Sequence, residues 1–290
     1  MTNEDRALQR CRIYPLQPAA PSRLESLMVK WRWARIARCS VCGRIRRFAI
    51  EHDNLRETVR CSGCGAISRQ RQLAYVICAR LSEVLGRRVT SLRQLAARDG
   101  DALAIYNTET AGPVHAALST LRHYLCSEYV GPEFPSGAVV NGVPHQDLMR
   151  LSYPDDSIDL VLSSDVFEHI PQPYTAHQEV HRVLRPGGRH IFTVPFYQTE
   201  FADETRAVLG EDGTPRVIRT PLYHDDPIRP NRGILVYTIF ALEMLLKLDR
   251  IGFTTHLYRL RHPFLGLLGP NALVFEAVKR TAGETGLRVP

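Results

Sequence analysis

Residues 158–195 read IDLVLSSDVFEHIPQPYTAHQEVHRVLRPGGRHIFTVP, and this stretch decides the fold. The run at 158–162 is apolar and short enough for a buried strand, and 191–194 is a second such run. Between them, apolar residues recur at helical spacing until Arg185-Pro186-Gly187-Gly188 ends the helix and turns the chain. A strand, a helix and a strand in this order form a βαβ unit, which belongs to a parallel sheet covered by helices.

The polar residues of the same stretch follow a second pattern. Asp159 lies in the first strand, Asp165 follows it, and Phe167-Glu168-His169-Ile170 and 182–188 come next. This contiguous pattern resembles the fourth-strand region of class I S-adenosylmethionine (SAM)-dependent methyltransferases of the type 11 kind. The resemblance implies SAM as the cofactor and methyl transfer as the reaction. It also implies a doubly wound, mostly parallel α/β fold with a seven-stranded Rossmann-like sheet.

The composition limits the class of protein. The chain has 290 residues, 44% of them hydrophobic, which is enough for one large domain and a small module. It has no run of roughly 18 apolar residues and its N-terminus is charged, so we expect neither a membrane-spanning helix nor a secretory signal. There are seven cysteines, an odd number, and four of them form two CxxC pairs. This pattern indicates metal binding in a reducing cytoplasm rather than a disulfide framework.

The net charge of +7 is unevenly distributed along the chain. Residues 1–100 hold 20 Lys and Arg against 8 Asp and Glu, whereas residues 101–290 hold 17 against 22. The basic third is therefore either a site for RNA, phosphate groups or an acidic partner, or a solvated arginine-rich surface.

The chain divides into parts of different composition. We expect an N-terminal arm and helix at 1–38, a zinc-ribbon module at 39–68 and a class I methyltransferase domain at 69–290. The first helix is predicted over Arg23–Arg38, and residues 70–85 have the spacing of an amphipathic helix that ends at Gly86. Residues 196–232 are too long and polar for an ordinary connection, so we expect an insert that binds substrate or forms a lid.

The four paired cysteines have the spacing of a metal site. Cys39 and Cys42 are followed, after 18 intervening residues, by Cys61 and Cys64, and a glycine follows each pair. A CxxC turn directs two thiolates at one point, and two such turns complete a tetrahedron around zinc. Because all four positions are cysteine, no position is left for a catalytic water, and we expect a structural zinc ion. Four unrelated buried cysteines or a redox pair are the alternatives.

The resemblance also implies where SAM would bind, at the carboxyl ends of the first strands, where strand order reverses. Strand one is predicted at 102–106 and is followed by a turn at 107–113. Strand two, at 123–126, leads to Glu128, which would accept the ribose hydroxyls. Asp147 ends strand three and would face the adenine. The cofactor-binding candidates are Thr108, Glu109, Gly112, Glu128, Asp147, Leu148, Ser164 and Asp165.

The first turn departs from the family's pattern, which is acid-x-Gly-x-Gly-x-Gly. The matching positions are Tyr106, Thr108, Thr110 and Gly112, so only the last glycine is present. Threonine and alanine are still small, so a wide turn remains compatible with the sequence. The last glycine and the three candidate acids after it follow one another at intervals of 16, 19 and 18 residues, and each interval suits one βα repeat.

Two histidines are candidates for the catalytic base, which a hydroxyl acceptor would need. His169 follows the fourth strand, beside the expected position of the donor methyl. His224 lies in the long insert, where Asp225 or Asp226 would hold its imidazole in one tautomer. The alternatives are that Glu168 and His169 form part of the pocket wall and that the segment around His224 is an ordinary turn.

Three functions are compatible with these features. The first is a SAM-dependent methyltransferase that acts on a small molecule, most simply on an oxygen of a saccharide or secondary metabolite. The second is an RNA methyltransferase, for instance of ribosomal RNA, that contacts RNA through the basic zinc module. The third is a non-catalytic zinc-ribbon binding protein on a degenerate methyltransferase fold, since only one turn glycine remains. We favour the first, because strand four ends in Ser163-Ser164-Asp165 and lacks the Asn/Asp-Pro-Pro motif of many base-modifying enzymes.

Overall fold

The structure is a computed structural model, and it describes residues 35–283 apart from short gaps, together with Arg23, Leu27 and Lys30. The gaps are at 99–100, 225–232, 261, 263–264 and 270–272. The predicted arm and Asp225 and Asp226 therefore lie outside the described residues.

The described residues contain five α-helices and seventeen strands, most of them short. The helices are α1 (Ser68–Val84), α2 (Leu92–Arg98), α3 (Gly112–Leu118), α4 (Pro173–Val183) and α5 (Glu243–Ile251). The strands are β1 (Arg35–Arg38), β2 (Ile45–Ala49), β3 (Arg60–Cys61), β4 (Ile105–Asn107), β5 (Tyr124–Cys126), β6 (Val139–Val140), β7 (Val143–Pro144), β8 (Ile158–Ser164), β9 (Leu184–Thr193), β10 (Glu204–Thr205), β11 (Ala207–Leu209), β12 (Pro215–Val217), β13 (Tyr223–His224), β14 (Ile234–Leu235), β15 (Thr238–Ile239), β16 (Phe253–Arg259) and β17 (Leu273–Lys279). None of the described helices has the length and apolar character needed to cross a bilayer.

The cysteine-rich region forms a three-stranded antiparallel sheet in the order β1-β2-β3. The prediction that the first helix runs to Arg38 is wrong, because residues 35–38 pair with β2. Their exposure alternates as in a strand: Ile36 is 74% exposed, Ala37 is buried and Arg38 is exposed. Residues 35–38 therefore form a strand. Over only four residues, the alternation of a strand cannot be told from part of a helical pattern.

Helix α1 confirms the prediction at 70–85, with an earlier start at Ser68. The Gln70 side chain accepts a hydrogen bond from the Ile67 backbone N–H at 3.2 Å and so caps the first turn. Gly86 follows the helix with a φ of +62°, a conformation that glycine adopts at no steric cost.

The large sheet has the order β16-β17-β9-β8-β4-β5. Strands β5, β4, β8 and β9 are parallel, and β17 and β16 are antiparallel additions at one side. Because β4 lies between β5 and β8, the strand order reverses at its carboxyl end, which is where ligands bind in open α/β sheets.

The described sheet has six strands rather than the predicted seven. The expected third strand is reduced to one parallel bridge between Glu128 and His145. The segment between these residues contains several prolines and glycines, and proline has no N–H to donate to a strand ladder. It forms the small β6–β7 hairpin instead.

The deciding stretch folds largely as its pattern predicts. Strand β8 pairs with β9, and α4 connects them. The predicted turn at 185–188 lies within β9. Ile158 of β8 pairs with Leu184 and Leu160 pairs with Arg189, so the four residues at 185–188 are left out of the pairing. Gly187 has a φ of +76° there, so the glycine pair permits a bulge where we expected a loop.

Two apolar clusters fill the two faces of the large sheet. One contains Leu160 and Leu162 of β8 and extends through α1 to Val41 and Phe48 of the cysteine-rich region. The other contains Val161 and packs against α4 and α5. The cysteine-rich region therefore shares a hydrophobic cluster with one face of the large sheet.

The predicted insert at 196–232 folds into short antiparallel pairs. Strand β10 pairs with β15, β11 with β12, and β13 with β14. The β13–β14 pair aligns His224 with Ile234, and the Tyr237 N–H donates to the Glu168 carbonyl oxygen at 2.7 Å. These contacts hold the insert against the end of β8.

Candidate functional site

The four paired cysteines meet in one cluster. Their Sγ atoms all lie within 4.8 Å of one another, and Cys39 and Cys64 are 3.8 Å apart. A tetrahedral zinc ion with Zn–S bonds of about 2.3 Å requires S–S distances of about 3.8 Å. The cluster therefore has the donor set and spacing of a four-thiolate zinc site, as the sequence predicts.

Each CxxC pair is shaped by the same backbone hydrogen bonds. The Cys39 N–H donates to the Arg44 carbonyl, and the Gly43 N–H donates to the Cys39 carbonyl. In the second pair, Cys61 and the glycine after Cys64 repeat both bonds. The two glycines have φ values of +75° and +76°, so the turns require the conformation that glycine adopts most easily.

The protonation of these thiols depends on their environment. The contact with Cys64 and burial raise the pKa of Cys39, and burial raises that of Cys61. A divalent cation would offset these effects by stabilising the thiolate forms of its ligands.

The first candidate cofactor residues lie in the turn after β4. Gly112 begins α3 with a φ of +85°, and a side chain at that position would meet nothing closer than 3.9 Å. Thr108 Oγ1 is buried and has no hydrogen-bond partner. A buried hydroxyl without a partner is uncommon, and it is a polar contact that a ligand in this turn would satisfy.

The acids after β5 and near the third strand position have different surroundings. Glu128 Oε1 accepts hydrogen bonds from Thr110 N–H at 2.9 Å and from Thr110 Oγ1 at 3.1 Å, so the candidate ribose acid faces the first turn. Asp147 Oδ1 accepts from the Met149 N–H at 2.9 Å and closes a local turn. Leu148 is buried in the hydrophobic cluster of the large sheet.

Asp165, at the end of β8, is held by two arginines from the N-terminal third. Arg56 forms a two-pronged pair with its carboxylate at 2.6 and 2.7 Å, and Arg69 Nε lies 3.4 Å from Oδ2. Thr193 Oγ1 donates to Oδ1 at 2.8 Å, and Arg69 also donates to Ser164 Oγ. Burial opposes ionisation of Asp165, but Arg69 and Arg56 outweigh it and hold the pKa of the carboxyl well below its usual range.

Glu109 is a second carboxyl group under the influence of the same arginine. Burial raises the pKa of Glu109 to about 7, against the opposing effect of Arg69, and Glu128 and Asp165 raise it further. Glu109, Glu128 and Asp165 follow β4, β5 and β8, and the two other acids raise the pKa of Glu109 at the point where strand order reverses.

The candidate bases His169 and His224 are in direct contact. Residues Phe167–His169 form a short 3-10 helix after β8, and His224 reaches this helix from β13. His169 Nδ1 lies 2.9 Å from the Leu235 carbonyl oxygen, which only accepts, so this nitrogen carries the proton. His169 Nε2 lies 3.1 Å from His224 Nδ1.

Glu168 completes a triad with these two histidines. Its side chain is fully buried, and Oε1 lies 3.4 Å from His224 Nδ1 and 3.7 Å from His169 Nε2. Burial raises the pKa of Glu168 to about 7, while its contact with His224 opposes this. The same contact raises the pKa of His224, so the pair shares a proton more readily than either group would in water.

The structure brings together several candidate residues and adds three that the sequence analysis missed. The sequence predicts for Glu168 only a place in the pocket wall, and for Arg56 and Arg69 only a contribution to the basic charge of the N-terminal third. The one sequence signal for Glu168 is that this acidic residue directly precedes the candidate base His169. No local signal indicates the arginine pairs, since 109 residues separate Arg56 from Asp165.

Comparison with known proteins supports part of this interpretation. Residues 125–192 match a family described as a methyltransferase domain. An uncharacterized methyltransferase of Mycobacterium marinum is 30% identical over 116 residues, which is 40% of this chain and 46% of that protein. An uncharacterized methyltransferase of Mycobacterium tuberculosis is 29% identical over 119 residues, with the same two coverages. The chain thus spans about half the length of these relatives, and the matches confirm the prediction of a methyltransferase-type sequence in this segment.

Solved structures of methyltransferases are also similar in part. A SAM-dependent methyltransferase from Mesorhizobium loti has a TM-score of 0.39 at 18% identity and covers 65% of this chain and 98% of its own. The 1,6-didemethyltoxoflavin-N1-methyltransferase of Burkholderia thailandensis, with its substrate and S-adenosylhomocysteine bound, has a TM-score of 0.36 at 19% identity and covers 81% of this chain and 96% of its own. At these TM-scores the likeness supports no argument about the reaction.

Proposed function

We propose that the chain is a SAM-dependent methyltransferase that transfers a methyl group to an oxygen of a small molecule such as a saccharide or secondary metabolite. The observation that carries this proposal is the group of polar residues at the carboxyl ends of β4, β5 and β8. There the unpaired Thr108 hydroxyl, three acids and a histidine pair lie around the reversal of strand order.

The residues of this chain fit SAM in their chemistry. Glu128 would accept the ribose hydroxyls, and Thr108, Glu109 and Gly112 would line the methionyl part. Asp147 and Leu148 would border the adenine, and Ser164 and Asp165 would lie beside the methyl group. When bound, SAM supplies an electrophilic methyl group on a sulfonium. What the chain contributes is chiefly orientation of the acceptor and exclusion of water.

His224 and His169 have different roles in removing the acceptor's proton. His224 has a side chain that is 41% exposed, so an acceptor can reach it, and Glu168 Oε1 lies 3.4 Å from its Nδ1 and attracts a positive charge on the ring. His224 would therefore take the acceptor's proton as general base. His169 uses Nδ1 on the Leu235 carbonyl and Nε2 on His224, so it positions the base rather than acting as one.

We further propose that the cysteine cluster holds a structural zinc ion. The cluster has no ligand position left over for water, and it lies in the hydrophobic cluster that supports α1. Zinc would then hold the loop that carries Arg56 against the end of β8.

An RNA substrate is the second candidate function. Arg38, Arg44 and Arg47 are exposed on the three-stranded sheet, which favours contact with phosphate groups. Against it, Arg56, Arg69 and Arg71 are used in internal contacts, so part of the basic charge is unavailable to a partner. RNA binding that weakens steeply with salt would favour this candidate over a small molecule.

Calorimetric titration of the full chain with SAM tests the proposal. We expect saturable binding at one site, and Glu128→Gln should weaken it by at least about tenfold, because the carboxylate to the ribose is lost. Glu133→Gln, an exposed acid nearby, is the matched control and should bind like the unchanged chain. Absence of saturable SAM binding would instead support the non-catalytic alternative.

A further inference from the structure

Glu168, His169 and His224 direct three ligand atoms at one point. We propose that this triad binds a divalent transition-metal cation, in a second site separate from the four cysteines. The proposal rests on the positions of the three side chains and does not depend on SAM binding.

The distances within the triad match one face of a coordination sphere. The three ligand atoms are separated by 3.1, 3.4 and 3.7 Å. With metal–nitrogen and metal–oxygen bonds of about 2.1 Å, adjacent ligands lie about 3.0 Å apart in an octahedron and about 3.4 Å apart in a tetrahedron. One cation can therefore contact all three atoms with little movement.

The environment of the Glu168 carboxylate is the strongest indication that a cation binds to this triad. The side chain is fully buried, and both carboxylate oxygens lack a hydrogen-bond partner. A buried carboxylate without donors is costly unless a charge compensates it. A cation bound at Oε1 would supply that charge.

His169 already has the supporting contact that metal-bound histidines use. Its Nδ1–H donates to the Leu235 carbonyl oxygen, which fixes the ring with the Nε2 lone pair directed toward the triad. Leu235 belongs to β14, the partner strand of β13, so the same hairpin fixes His169 and supplies His224. The two histidines are therefore oriented by one structural element.

The donor set indicates the class of cation. Two imidazoles and one carboxylate suit Fe²⁺, Co²⁺, Mn²⁺ or Zn²⁺, whereas Mg²⁺ and Ca²⁺ prefer oxygen donors. Asp165 points its carboxylate to Arg56 and Arg69, so it is not a fourth ligand in this arrangement. Three protein ligands leave other positions open, and, if the proposed methyl transfer is correct, an acceptor oxygen would occupy one of them.

Titration with Co²⁺ of the full chain loaded with one zinc ion per chain, which the four thiolates should hold more tightly, tests the second site. We expect one Co²⁺ per chain, with the weak visible absorption of nitrogen and oxygen ligands and without the intense sulfur charge-transfer bands of a thiolate site. His224→Ala should weaken binding by at least about 100-fold, since losing a ligand should exceed the effect of losing its supporting contact. His52→Ala, an exposed histidine of the cysteine-rich region, should bind Co²⁺ like the unchanged chain.

Glu168→Gln provides an independent variant, because it keeps the side-chain volume and removes the charge. Circular dichroism of both variants shows whether they are folded, and the half-exposed His224 is the safer substitution. The inference is overturned if the unchanged chain takes up no additional Co²⁺, or if folded His224→Ala and Glu168→Gln both retain its affinity; the triad is then a proton-linked ion pair. Because Co²⁺ uptake and SAM binding are measured separately, failure of SAM binding alone would contradict only the proposed function.

Discussion

The cysteine cluster and the Glu168–His169–His224 triad both gather ligand atoms within a few ångströms, yet they are built in different ways. Each half of the cysteine cluster comes from four consecutive residues whose backbone hydrogen bonds repeat in the other half. The triad joins two neighbours in a 3-10 helix to a histidine 55 residues later on a two-residue strand. The first cluster is shaped by local geometry, whereas the second depends on how the insert packs against the sheet.

This difference has consequences for stability and for function. The cysteine cluster lies in the hydrophobic interior, so a metal bound there would stabilise the fold around it. The triad has one half-exposed member, so changes there should affect binding more than folding. Four predictions use this contrast, and they run from the largest expected effect to the smallest.

Replacing Cys39 with Ser should have the largest effect. Loss of one thiolate ligand would release the metal and remove several kcal/mol of folding free energy, so the melting temperature should fall by about 10 °C or more. Thermal unfolding with and without a chelator measures this. Cys126→Ser, a half-buried cysteine outside the cluster, is the control and should melt within a few degrees of the unchanged chain. Equal effects of the two substitutions would contradict a structural metal.

Removing Arg69 tests the connection between the two regions. Arg69→Met leaves Asp165 with Arg56 as its main partner and leaves Glu57 without its contact to Arg69, so we expect a loss of about 3 kcal/mol in the free energy of unfolding. Arg60→Met breaks an exposed pair with Glu51 in the same region and should cost less than about 1 kcal/mol. Chemical denaturation compares the variants. Similar losses would show that the arginine contacts at Asp165 are no stronger than a surface pair.

His177→Phe tests the packing directly behind the triad. The His177 ring stacks on Phe167 at 4.2 Å, neither nitrogen has a partner, and burial lowers the pKa of His177 to about 3. Burial also lowers the pKa of the neighbouring His190. Below pH 6.5 the unfolded chain binds a proton that folded His177 does not, so stability falls as the pH drops from 6.5 toward 3.

The phenylalanine variant should lose the part of this dependence that comes from His177. Relative to the unchanged chain it should gain about 2 kcal/mol at pH 5 beyond any gain at pH 8, where the histidine is neutral in both states. Denaturation midpoints at the two pH values measure the gain. A difference that does not depend on pH would mean that His177 titrates in the folded protein.

His224→Ala should change stability least. The side chain is 41% exposed and contributes little to the hydrophobic interior, but it is a partner of buried Glu168, so we expect a loss of about 1 kcal/mol in the metal-free triad. The melting temperature without added Co²⁺ checks this. A large loss would show that the triad, like the cysteine cluster, supports the fold.

The parts of the structure that the sequence predicted depend on contacts between near neighbours in the chain. The clustering of the four cysteines, the βαβ unit and α1 follow from spacing and from glycine positions, and these three are observed, whereas the zinc ion itself stays a prediction. Strand β1 was mistaken for helix because four residues contain too few periods to separate the two patterns. The third strand was expected from the family, but prolines in this chain prevent a full ladder. Glu168 and Arg56 could not be assigned, because their partners come from distant segments.

Arg71 connects the cysteine-rich region with a segment near residue 265. Its buried guanidinium lies 3.9 Å from the centre of the Phe48 ring and donates to the carbonyl oxygens of Val59, Leu265 and Gly266. A fragment cut at residue 69 would keep this arginine and lose two of the groups that surround it. The sequence marks residues 39–68 as a separate module, but another module fused in its place would have to supply the same aromatic ring and carbonyl oxygen to Arg71.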